Sequence, residues 1–143
     1  MKILNLQQVK LIAGILTIIV GIPYVLGFYG PTETEVVYWG MLSMIMGGVM
    51  LGFAIEIKPL KILTKVTALV ILLMQIPPII LWFTFYGKGI SDGIPQSNFV
   101  AHWIFSVPHI IVGLLCLYLV IPVFSKQKNQ HKEPPPVVYS SEK

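Results

Sequence analysis

Arginine is absent from all 143 residues, so every one of the ten basic side chains is a lysine. Arginine is the usual residue for bidentate phosphate recognition. Its absence, with no basic-aromatic interleaving in a polar segment, argues against nucleic acid as a partner. Cysteine is nearly absent too. The single Cys116 lies within an apolar run, so no intramolecular disulfide and no CxxC pair is available for redox work or zinc binding. Charge is scarce as well: 11% of residues are charged and 55% hydrophobic. Soluble domains carry roughly 25% charged residues. This chain has too little polar surface to cover a water-soluble core. No Asn-x-Ser/Thr acceptor, phosphate loop, dinucleotide fingerprint, nucleophile elbow or zincin motif occurs, so no catalytic residue is assigned.

What the chain does have is four apolar runs of spanning length with almost no charge, at about 9–29, 36–56, 62–86 and 99–124. The first run follows Lys2 and Lys10, as in a signal peptide. It is too long for an h-region and lacks a small-x-small cleavage site, so it reads as a span. Short connectors make consecutive helices neighbours. The expected fold is an all-α integral membrane protein, a four-transmembrane-helix up-down-up-down bundle over residues 1–125. Residues 126–143 form a basic, proline-rich tail, expected to be disordered.

Orientation follows from lysine placement, because basic residues in short loops favour the cytoplasmic side. Nine of the ten lysines fall on the side of the two termini and the second connector. Lys88 alone shares the other side with Glu33, Glu35 and Asp92. Both termini are therefore expected to be cytoplasmic, in the plasma membrane. Trp39, Trp82 and Trp103 lie near the opposite boundary, which the same logic assigns to an interfacial aromatic belt.

Polar residues inside the spans are the candidates for function. Gln75 precedes Pro77 and Pro78 in the third span. Each proline lacks an N–H and crowds the carbonyl four residues back, so Leu73 and Met74 lose their usual helical donors. Hydrocarbon offers no replacement, and a neighbouring helix must respond. His102 and His109 are seven residues apart in the fourth span, hence on one face and about 10 Å apart along the axis. Depth counting places Gln75 level with His109 and predicts a hydrogen bond between them. Structural hydrogen bonding is the first reading of this group. Haem ligation or a quinone- or proton-linked role is the alternative, although two histidines on one face cannot clamp one haem alone.

Small residues suggest helix packing. Ala13, Thr17 and Gly21 recur every four residues, as do Ser43 with Gly47 and Gly48 with Gly52. Glu56, at the end of the second span, is expected to form an interfacial ion pair with Lys10, Lys58 or Lys61. The resulting expectation is a non-enzymatic accessory, assembly or interaction subunit of a membrane complex, or a homo-oligomer, with the lipid bilayer and a protein partner as its contacts. The alternative is a small transporter, channel or redox-complex subunit built on the His/Gln/Pro cluster.

Overall fold

A computed structural model of the chain describes residues 5–28, 34–55, 60–87 and 97–121. It is all-helical, with no strand among the described residues. The helices are α1 (Leu6–Val25), α2 (Thr34–Ile55), α3 (Lys61–Phe83) and α4 (Phe99–Val120). All four are long and apolar enough to cross a membrane. Their 20 to 23 residues correspond to about 30–35 Å at 1.5 Å per residue, the thickness of the hydrocarbon layer.

The helix ends depart from the hydrophobic runs for local reasons. α1 starts three residues before its apolar run because Asn5 and Gln8 form a reciprocal capping box. It stops at Val25, short of residue 29. Gly27 takes a left-handed φ of +65°, and the Phe28 N–H returns to the Pro23 carbonyl at 2.9 Å. α3 ends at Phe83 rather than 86, where Tyr86 and Gly87 both adopt left-handed φ. Ile121, which precedes Pro122, is extended and closes α4. The remainder of the fourth run and the 126–143 tail lie outside the described residues.

α1 packs closely along α2, and α3 along α4. α1 also meets α4, and α2 meets α3 more sparsely. The first pair is held by glycine against glycine. A Cβ placed on Gly14 would lie 2.9 Å from the Gly47 carbonyl oxygen, and one on Gly21 would lie 2.6 Å from that of Gly40. Ala13, Thr17, Ser43 and Gly47 are buried, and the Thr17 hydroxyl donates to the Ala13 carbonyl at 2.6 Å. Gly48 and Gly52 require a correction as bundle-packing residues. A Cβ at either meets nothing within 4 Å, because both sit on the outward face of α2.

At the other end of α2, the last carbonyls find donors on α1. Gln7 Nε2 donates to the Ala54 carbonyl at 2.8 Å, and Lys10 Nζ to that of Phe53 at 3.2 Å. These are among the acceptors a helix C-terminus leaves without intrahelical donors, and the lysine charge suits that end of the dipole. Glu56 and Lys58 lie outside the described residues, and Lys61 is exposed. Lys10→Met is expected to lower stability by about 1 kcal/mol, read by denaturant titration in micelles. An unchanged midpoint would mean that the Phe53 carbonyl has another donor.

Candidate functional site

The polar interior is built where α1, α3 and α4 converge. α4 supplies His102, Ser106 and His109 from one buried stripe, α3 supplies Gln75, Pro78 and Trp82, and α1 supplies Tyr24. In each case the spacing of three, four or seven residues returns to the same helix face.

His109 is the centre. Its Nδ1 lies 2.9 Å from Gln75 Oε1, and its Nε2 lies 3.0 Å from Tyr24 Oη. Trp82 Nε1 donates to Tyr24 Oη at 2.7 Å, and Gln75 Nε2 donates back to the Ile71 carbonyl at 3.2 Å. Donor and acceptor chemistry gives this chain a direction. Because the Gln75 amide nitrogen faces Ile71, its oxygen accepts, which assigns the His109 proton to Nδ1. Nε2 then accepts from the Tyr24 hydroxyl, and that hydroxyl accepts from the Trp82 indole. Every bond in the series Trp82, Tyr24, His109, Gln75, Ile71 is thereby satisfied in one sense.

The double proline receives its response from α2. Trp39 Nε1 donates to the Met74 carbonyl at 3.2 Å, one of the two acceptors that Pro77 and Pro78 strip of a helical donor. The same indole sits edge-on to Tyr24, with centroids 4.7 Å apart, and 5.6 Å from the His109 ring. All four helices therefore touch the His109 environment. His102 lies beside this chain of bonds. Its Nδ1 lies 2.9 Å from the Asn98 carbonyl, and its ring stacks on Trp82 at 6.1 Å. The structure thus brings Gln75 and His109 together, places Pro78 on the same buried face, and links His102 to them through Trp82.

The three tryptophans differ in how far the bundle covers them. Trp82 is fully buried, Trp39 is partly buried, and Trp103 alone of the three is exposed. Tyr24 and Trp82 are the site residues that the sequence does not single out as interior. Their spacing was the available signal: Tyr24 follows Thr17 by seven residues, and Trp82 follows Gln75 by seven.

Among the described residues, no three His, Cys, Asp or Glu side chains converge as a metal site. Both ring nitrogens of His109 face protein partners, so iron ligation there would displace either Tyr24 or Gln75. The buried hydroxyls of Ser43 and Thr64 have no hydrogen-bond partner among the described residues. Comparison with known proteins finds no matching family model, curated protein or solved structure.

Proposed function

We propose that this chain is a non-enzymatic subunit of a plasma-membrane assembly, or a homo-oligomer, that acts through the outward face of α2. In this reading the helices run up-down-up-down with both termini in the cytoplasm. The opposite residue order of the contacts supports that topology: Gly14 lies beside Gly47 and Gly21 beside Gly40, and Gln75 meets His109 while Phe83 meets Trp103. Lysine asymmetry supports the orientation.

The observation that carries the reading is the pair Gly48 and Gly52. They are one helical turn apart, and no neighbour of their own bundle lies close enough to require the lack of a side chain. Lipid is as apolar as leucine and gives no reason for a bare backbone strip. Close approach of another helix does, through dispersion contacts between backbones. The polar interior points the same way, because its donors and acceptors serve one another.

The test is Gly48→Leu/Gly52→Leu, assayed by crosslinking in native membranes and by identification of co-purifying chains. The double variant is expected to keep the thermal stability of the isolated bundle and to lose at least about 90% of its association, since dimer seams of this kind depend on close backbone approach. A wild-type chain that purifies in mild detergent as a lone monomer overturns the reading.

A further inference from the structure

The helices form two close pairs, α1 with α2 and α3 with α4, and the pairs meet each other more sparsely. Three hydrogen bonds that join the pairs lie together toward the end where α1 and α3 finish. They run from Tyr24 to His109, from Trp82 to Tyr24 and from Trp39 to the Met74 carbonyl. Toward the other end, all four helices share one apolar cluster that includes Ala13, Met50, Ala68 and Cys116. In lipid an apolar contact has no hydrophobic drive, because the separated faces meet hydrocarbon again. Polar bonds therefore decide how firmly the pairs hold together.

Those bonds depend on the proton count of His109. The Trp82 indole can only donate and the Ile71 carbonyl can only accept, so the series between them runs in one sense. In that sense Nε2 of His109 accepts from the Tyr24 hydroxyl at 3.0 Å. A second proton on the imidazole occupies Nε2 and sets two hydrogens between the same two atoms. Tyr24 Oη must then turn its proton away. It cannot pass the reversal on to Trp82, whose indole N–H has no lone pair to offer.

The new charge also meets poor company. His109 is faced by Tyr24 from α1, by the Trp39 indole from α2 and by Gln75 from α3, and the phenol is the one titratable group among these partners. On α4 itself, His102 and Cys116 stand seven residues to either side, about 10 Å away along the axis. Among the described residues the one carboxylate is Glu35, exposed in the first turn of α2 and one turn before Trp39. A charge inside the bilayer costs more than an interhelical hydrogen bond returns, and access to water relieves that cost. We propose that His109 is a proton-sensitive latch: the neutral ring holds the α1–α2 pair against the α3–α4 pair, and its protonation opens the Tyr24–Trp82 end about the apolar cluster and admits water. The latch goes beyond the association reading and does not depend on it, since it uses no residue of the outward face of α2.

The experiment measures distances between paired spin labels on the full chain in nanodiscs, at about pH 8 and about pH 4, either side of the ordinary imidazole value of about 6.5. The background is Cys116→Ala, which removes the native free thiol. Labels at the exposed positions Leu26 and Ile104 report across the pairs, and labels at Leu26 and Tyr38 report within the first pair. On acidification the distance across the pairs is expected to lengthen reversibly by about 3 Å or more, the width of one water molecule. The distance within the first pair should stay constant. His109→Gln keeps an acceptor and a donor but does not titrate, and should hold the short distance at both pH values. If circular dichroism shows that variant unfolded, Tyr24→Phe takes its place and should show the long distance at both. His102→Gln and Glu35→Gln should respond as the wild type does. An unchanged distance across the pairs in the wild type overturns the proposal, as does equal lengthening within the first pair. A pH response that survives His109→Gln or Tyr24→Phe, or that is lost in His102→Gln or Glu35→Gln, overturns it equally.

Discussion

Gly47→Leu is expected to pull α1 away from α2 and to destabilise the bundle by about 3 kcal/mol or more, the upper end for overpacking. The reason is what a new side chain meets. A Cβ on Gly47 would stand 2.8 Å from the Gly14 carbonyl oxygen and 3.0 Å from the Ile18 amide nitrogen. Backbone atoms cannot rotate aside as a side chain does, so the helix axes must separate along the whole seam. Gly21 and Gly40 stand in the same relation, with Cβ positions 2.6 and 2.8 Å from each other's carbonyl oxygens. Gly21→Leu should therefore match Gly47→Leu. In lipid this loss has no hydrophobic compensation, because the separated faces are already in an apolar solvent. Gly113→Ala is the internal control. Its Cβ would meet only Leu72 Cδ1, at an ordinary 3.7 Å, and the variant should stay within about 0.5 kcal/mol of wild type. Reversible unfolding in mixed micelles provides the measurement. Equal stability of Gly47→Leu and Gly113→Ala would place the α1–α2 seam elsewhere.

The position of that seam shows what a sequence discloses and what it withholds. Four spans were legible because length and scarcity of charge leave few alternatives for runs of this size. The helix starts were less so. Asn5 and Gln8 cap α1 with polar atoms that a search for apolar runs passes over. The meeting of Gln75 with His109 was legible from depth alone, since two polar groups at one level between adjacent helices have few other partners. Choosing the right glycines was not. A repeat of four fits Gly48 and Gly52 as well as any packed pair, and one helix read alone does not say which face meets its neighbour. The paired seven-residue spacings, Gly14 to Gly21 and Gly40 to Gly47, carry that information only when two helices are read against each other. The burial of Trp82 went unread for a related reason. Interfacial enrichment of tryptophan is a tendency of depth, whereas burial of Trp82 depends on its rotational position, which it shares with Gln75. The response to Pro77 and Pro78 was foreshadowed only as a place where a neighbour must supply a donor; that the donor is Trp39 required the structure.

A double-mutant cycle on His109 and Gln75 should show strong coupling. His109→Leu removes a partner from both Tyr24 Oη and Gln75 Oε1, leaving that amide oxygen buried without its donor, and should cost about 2–3 kcal/mol. Gln75→Leu strands only the His109 Nδ1–H and should cost about 1–2 kcal/mol. The double variant replaces both ends of the 2.9 Å bond with apolar groups, so the penalties for lost partners are not both incurred. It should be less destabilised than the sum of the singles by about 1 kcal/mol or slightly more, within the range for residues in one network and above the average for interhelical bonds in membranes. Tyr24→Phe extends the test. On the wild-type background it removes the hydroxyl that accepts from Trp82 and donates to His109. On the His109→Leu background it should have a smaller effect, because one of those two bonds is already gone. His109 sits near the middle of α4 and is 2% exposed, so bulk water offers poor substitution for either partner. Strict additivity across the cycle would mean that the two side chains do not share a bond in the bilayer, and His109 would then lose its place at the centre of the interior.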